Sequence, residues 1–142
     1  MNREQLTLAV IAAGGENVSF TPVQVQKLFF LVDREAAHLT GGPHFSFKPY
    51  DYGPFDKQVY ESLDLLAVGG LAEIGSAGRD RTYSLSDAGY IQGTEALAQL
   101  PKSAVDYLTK LSHWVHSLTF EQLVASIYNR YPDMKVKSIF RG

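Results

Sequence analysis

Apolar residues recur at the i, i+3, i+4, i+7 spacing of a helix face in six segments of the chain. Each segment is bordered by glycine, proline or a residue suited to capping a helix. The pattern therefore predicts six helices. In chain order they begin near Arg3, Pro22, Gly53, Ser86, Pro101 and Thr119.

The second predicted helix has the clearest start signal. Thr21 is suited to the N-cap, Pro22 to the first helical position, and Gln24 to a reciprocal capping box with Thr21. The apolar run LFFLV, residues 28–32, is wider than a single helical stripe. This helix is therefore predicted to be buried on more than one side.

The segment HFSFKPYDYGP, residues 44–54, separates the second and third predicted helices. Alternation of aromatic and polar residues predicts a short strand or extended segment, and Pro49 argues against a central strand. Pro54 is predicted in the first turn of the third helix, with Phe55 on its apolar stripe and Asp56 as its third residue. Asp56 is then expected to cap that helix rather than to form an acid–base pair with Asp51.

Side chains in an extended segment point alternately to opposite sides. Tyr50, Asp51 and Tyr52 therefore cannot all face the core, and at least one of them is predicted to be exposed.

A β-hairpin is predicted between the third and fourth helices. Its arms are Leu71–Ile74 and Arg81–Leu85, with Gly75–Gly78 as the turn. Three helices, a hairpin and a helix are the element order of a winged-helix unit. The predicted fold is a single domain, 1–142, mostly α with a small β-hairpin. Its winged-helix-like core covers about 3–100, and additional C-terminal helices cover about 101–142.

Composition and charge fit an ordinary globular protein of one domain. The 142 residues contain no cysteine, which excludes disulfides and thiol nucleophiles and favours the cytoplasm. Neither a membrane span nor a signal peptide is expected. The net charge of −2 divides into −5 over the first hundred residues and +3 from Pro101 onward, where Arg141 is the last of six basic residues.

No constellation of residues predicts catalysis. His113 and His116 lie on one helix face, but no carboxylate lies within the next few residues to complete a metal site. The glycine pairs 14–15 and 41–42 follow helices, whereas a phosphate-binding loop precedes one. We therefore expect no enzymatic activity, no metal and no cofactor.

Nucleic-acid binding has a limited basis in the sequence. Arg79 and Arg81 lie on the predicted wing, where they could contact phosphate or a minor groove. The third helix carries Glu61 and Asp64 on its outer side, and these carboxylates would repel phosphate. A winged-helix regulator that binds DNA therefore stays as an alternative.

Protein binding has the stronger basis, because tyrosine and phenylalanine beside a tight turn are typical of interface hot spots. The acidic main body could also speed the capture of a basic partner. An aromatic patch could equally serve a homo-oligomer. The residues predicted to bind a partner are Tyr50, Asp51, Tyr52, Gly53, Pro54, Asp56, Lys57 and Tyr60.

Three segments together resemble the SocA-like antitoxin family, also called the Panacea domain, which is close to the YwgA-like proteins. The segments are VQKLFFLVDRE (25–35), FSFKPYDYGPFDKQVYESLDLL (45–66) and YSLSDAGY (83–90). The signature positions that match are Lys27, Leu28, Tyr52, Gly53, Pro54 and Tyr60.

This resemblance implies a non-enzymatic antitoxin that neutralises a cognate toxin by direct contact. In SocA-type members the bound toxin is also presented to a protease. Other members accompany phages and defence systems, so a subunit with an unrelated partner is a further alternative.

Overall fold

The computed structural model describes residues 1–140, so the predicted basic residue Arg141 lies outside the described part. These residues form six α-helices, two β-hairpins and a short 3-10 helix at Pro132–Lys135. The elements are α1 (Arg3–Ala12), α2 (Pro22–Thr40), β1 (Lys48–Tyr50), β2 (Gly53–Phe55), α3 (Lys57–Val68), β3 (Ala72–Ala77), β4 (Asp80–Leu85), α4 (Asp87–Leu97), α5 (Lys102–Ser117) and α6 (Phe120–Arg130).

The predicted fold class, mostly α with a small β-hairpin, is confirmed. The order α1, α2, α3, β3–β4 and α4 is the element order predicted for the winged-helix-like unit, and α5 and α6 follow it. Reciprocal capping boxes form at the starts of three helices, and the box at Thr21 confirms the predicted start of α2. The pairs are Asn2 with Gln5, Thr21 with Gln24, and Thr119 with Gln122.

Helix α2 lies at the centre of the core and contacts α3, α5, α6, β2 and β4. Eleven of its residues are buried, which confirms the predicted burial on more than one side. Full burial of an aliphatic or aromatic side chain contributes about 1.5–3 kcal/mol, so the run 28–32 is a large share of the core. One hydrophobic cluster includes residues from all six helices.

The C-terminal helices are joined to α2 through Glu35. Its carboxylate accepts hydrogen bonds from the hydroxyls of Tyr107, at 2.7 Å, and Tyr131, and it pairs with Arg130 at 2.5 Å. Burial, together with this carboxylate, raises the pKa of Tyr131 to about 12. One side chain of α2 thus binds both α5 and the end of α6.

The β3–β4 hairpin has a shorter turn than predicted. Strand β3 continues to Ala77, which pairs with Asp80, so only Gly78 and Arg79 form the turn. Gly78 has a φ of 63°, a conformation that favours glycine in two-residue hairpin turns. The predicted turn Gly75–Gly78 is therefore wrong, because three of its residues are accommodated in the strand.

The prediction that the third helix begins at Gly53 is also wrong. Residues Gly53–Phe55 form β2, which pairs with β1 in a separate two-stranded antiparallel sheet, and α3 begins only at Lys57. Pro49 lies opposite Pro54, so two residues without an N–H share one rung. Phe55 accordingly lies in β2 and not on the stripe of α3, and Asp56 is the N-cap rather than the third residue of the helix.

Within residues 1–140, no helix combines the length and the hydropathy needed to cross a lipid bilayer.

Replacing Gly53 by alanine should lower the free energy of unfolding by about 1–3 kcal/mol. Gly53 has a φ of 106°, and an added Cβ would lie 3.3 Å from Cε1 of Tyr128. Gly69→Ala is a matched control, because Gly69 has an ordinary φ of −79° and an added Cβ would lie 3.6 Å from the nearest atom, the carbonyl oxygen of Leu65. Urea denaturation of both variants measures the difference, and equal losses would contradict this explanation.

Candidate functional site

The Tyr-Gly-Pro motif forms the tip of the β1–β2 hairpin. Tyr50 pairs with Gly53 across the strands, so Asp51 and Tyr52 form the turn between them. The side chain of Tyr50 is 54% exposed and that of Tyr52 is 39% exposed, which confirms the predicted outward position of at least one residue. The hairpin tip therefore exposes two tyrosine side chains to solvent.

Each tyrosine of the tip rests on a second aromatic ring. The ring of Tyr50 lies 5.1 Å from that of Phe55, and the ring of Tyr52 lies 5.2 Å from that of Phe120 at the start of α6. Such contacts add about 0.5–1.5 kcal/mol per pair beyond area burial. The exposed rings therefore have a defined orientation before any partner binds.

A buried amide on α2 anchors the base of the hairpin. The backbone N–H of Asp56 donates to Oε1 of Gln26, and Nε2 of Gln26 donates to the carbonyl of Asp56, both at 2.9 Å. Gln26 is only 1% exposed. The amide satisfies both backbone groups of Asp56 at the junction between β2 and α3.

The carboxylate of Asp56 has a structural role. Its oxygens accept hydrogen bonds from the backbone N–H groups of Gln58, at 2.9 Å, and Ser46, at 2.8 Å. The first bond caps α3, which confirms the predicted capping function of this residue. The second bond joins Ser46, which lies just before β1, to the N-cap of α3.

Lys27 of α2 lies directly beneath the hairpin tip and is 3% exposed. Among the hydrogen bonds of the described residues it makes a single long one, from Nζ to the carbonyl of Pro54 at 3.5 Å. Burial lowers the pKa of this amine from 10.5 to about 7. A Cβ on Gly53 would lie 3.7 Å from Nζ, so the glycine and the lysine pack closely.

The sequence contains a signal for the burial of Lys27. Lys27 is four residues before Leu31, and residues at that spacing share a helix face. Leu31 belongs to the apolar run that was predicted to be buried. The position alone therefore indicated a lysine on the buried side of α2.

A segment after the 3-10 helix, residues 136–140, packs against the hairpin tip. The N–H of Ile139 donates to the carbonyl of Asp51 at 2.9 Å, and the hydroxyl of Tyr128 donates to Oγ of Ser138 at 2.6 Å. The ring of Phe140 lies 6.2 Å from that of Phe120. No local pattern in residues 136–140 predicts this contact.

Two open depressions flank the hairpin. The first has a volume of about 430 Å³ and lies between Tyr52, Phe120 and the start of α2. The second has a volume of about 640 Å³ and is called here the basic depression. Its lining includes Lys48, Tyr50, Phe55, Asp56, Lys57 and Lys137.

The predicted partner-binding residues divide by exposure. Tyr50, Tyr52 and Lys57 are exposed, whereas Gly53 and Pro54 are buried and shape the backbone. Tyr60 is only partly exposed, and its ring stacks on Tyr83 at 5.9 Å.

The predicted wing residues Arg79 and Arg81 lie elsewhere, at the exposed tip of β3–β4. On the outer side of α3, Glu61 and Asp64 are exposed as predicted.

The histidine pair on α5 is not arranged as a metal site. Both ring nitrogens of His116 lie within hydrogen-bonding distance of backbone carbonyls, those of Ser19 at 2.7 Å and Ser112 at 3.1 Å. In residues 1–140 there is no group of three or more His, Asp or Glu side chains that could hold a metal ion.

Comparisons of the chain with protein-family models, with curated proteins and with solved structures identify no match.

Replacing Lys27 by methionine should raise the free energy of unfolding near neutral pH. The pKa of Lys27 is about 7 in the folded state and 10.5 as the ordinary value, so between these limits the unfolded state binds more protons. The wild type therefore loses stability as the pH falls from 10.5 to 7. One pKa unit corresponds to about 1.4 kcal/mol, so the gain should be on the order of several kcal/mol at pH 7.

Urea denaturation at about pH 7 and about pH 9 measures this effect, and the advantage of Lys27→Met should shrink at the higher pH. Lys110→Met removes an exposed lysine in the middle of α5 and is the matched control. A Lys27→Met variant that shows the same pH dependence as the control would contradict the role assigned to burial.

Proposed function

We propose that this protein is an antitoxin-like binding module that neutralises a cognate toxin by direct, stoichiometric contact. The observation that carries the proposal is the exposed pair Tyr50 and Tyr52 on an anchored hairpin tip. The resemblance of residues 25–35, 45–66 and 83–90 to SocA-like antitoxins supplies the functional class. In this proposal the module is not an enzyme.

The anchoring of the hairpin supports its use as a binding surface. Gln26 fixes its base, and the N–H of Ile139 binds the carbonyl of Asp51 at its turn. A surface that is ordered in advance loses less conformational entropy on binding. Tyrosines are enriched among the residues that dominate interface energies.

The proposal has two further parts. We assign the module to the cytoplasm, which the cysteine-free sequence favours. By the same resemblance, presentation of the bound toxin to a protease is a second step that the module would serve. A phage- or defence-associated subunit with an unrelated partner would use the same hairpin surface.

Alanine replacement of Tyr50 and Tyr52 together should weaken toxin binding by at least about tenfold. The chain should stay folded, because both rings are exposed and each loses only one aromatic contact. The test co-expresses the chain with the product of the neighbouring gene and measures growth rescue, co-purification and Kd. Ile91→Ala, which removes an exposed side chain from α4, is the control. If no neighbouring product is toxic and none co-purifies, the antitoxin proposal fails.

A DNA-binding regulator is the second candidate function. It is favoured by the exposure of Arg79 and Arg81 at the tip of β3–β4, and opposed by Glu61 and Asp64 on α3. Gel shifts with DNA from upstream of the gene should show binding that weakens with salt and on double replacement of both arginines by alanine. Absent or unaltered binding eliminates this candidate.

A further inference from the structure

The basic depression collects lysines from three separate parts of the chain. Lys48 lies in β1, Lys57 is the first residue of α3, and Lys137 lies in the segment after the 3-10 helix. All three side chains are exposed. The first hundred residues carry a net charge of −5, so this cluster reverses the prevailing charge at one place.

The carboxylate at the edge of the depression does not neutralise these lysines through an ion pair. Both oxygens of Asp56 accept backbone N–H groups, and the ion pairs within 4 Å among residues 1–140 involve other cations. Those pairs are Arg34 with Asp133, His44 with Asp33, and Arg130 with Glu35. The lysines of the depression are therefore available to a ligand.

The depression also offers an apolar surface. Tyr50 and Phe55 line it with their rings 5.1 Å apart, and Pro49 lines it as well. A ligand that matches this site combines negative charge with one bulky apolar group. A short acidic segment of a protein has this composition when one aromatic or aliphatic residue lies among aspartates and glutamates.

We propose that the basic depression binds an acidic segment of the partner protein, with Lys48, Lys57 and Lys137 contacting carboxylates and Tyr50 contacting the apolar residue. This inference rests on the proposed function and adds the chemistry of the partner. It differs from the expectation that the acidic main body captures a basic partner.

Charge on the neighbouring surface favours a protein segment over nucleic acid. A phosphate backbone that continued from Lys57 along α3 would meet the exposed carboxylates of Glu61 and Asp64. Nucleic-acid binding depends on several phosphate contacts along a continuous track. Three lysines that line one depression provide contacts for a short acidic segment instead.

The test uses the whole chain and a labelled peptide of sequence Gly-Asp-Glu-Trp-Glu-Asp, followed by fluorescence anisotropy at about 50 mM and about 300 mM NaCl. We expect saturable binding that weakens at the higher salt. The variant Lys48→Gln/Lys57→Gln/Lys137→Gln should bind at least about tenfold more weakly. The variant Gln99→Glu/Lys102→Gln/Lys110→Gln lowers the net charge by the same amount at exposed residues elsewhere and should bind like the wild type.

Absence of saturable binding would overturn the inference, as would equal binding by the two triple variants. Equal or tighter binding of a lysine-substituted peptide or of a single-stranded oligonucleotide would also overturn it. A toxin that binds the first triple variant and the wild type equally removes the inference but leaves the proposed function intact. Peptide binding without any toxin partner removes the proposed function and leaves the acidic-ligand site.

Discussion

The paired hydrogen bonds between the side-chain amide of Gln26 and the backbone of Asp56 hold the candidate site together. An unsatisfied buried polar group costs about 1–3 kcal/mol, so both the amide and the backbone groups depend on this pairing. It fixes the residue at which β2 ends and α3 begins. The position of the hairpin tip, the cap of α3 and the place of Lys57 all follow from that junction.

Helix α2 both forms the core and holds the segment 44–56, and burial of the charged Lys27 between these two roles costs stability. Its apolar run forms the core, while the buried side chains of Gln26, Lys27 and Asp33 contact the backbone of the segment 44–56. Gln26 and Asp33 make short hydrogen bonds, whereas the amine of Lys27 has one long bond and a lowered pKa. Residues that cost stability are common at functional sites, and Lys27 lies directly beneath the exposed candidate surface.

Sequence reasoning succeeded where a feature is encoded locally. The capping boxes, the burial of α2 and the exposure of Tyr50 and Tyr52 follow from neighbouring residues and from side-chain alternation. The predicted start of α3 was wrong because Pro54 suits both the first turn of a helix and an edge strand. The hydrogen bonds of Gln26, thirty residues before Asp56, and the pairing of β2 with β1 decide between these two states.

The same distinction between local and distant contacts applies to charge. The net charge of the first hundred residues suggested a basic partner, but a net charge does not say where the lysines lie in the fold. The segment 136–140 returns to Asp51 and brings Lys137 beside Lys48 and Lys57. Salt limits the distance over which exposed charges interact to about 8–10 Å. A charged group at the hairpin would therefore interact mainly with this local cluster and not with the net charge of the whole chain. The fold therefore determines the sign of the charge that the candidate surface presents.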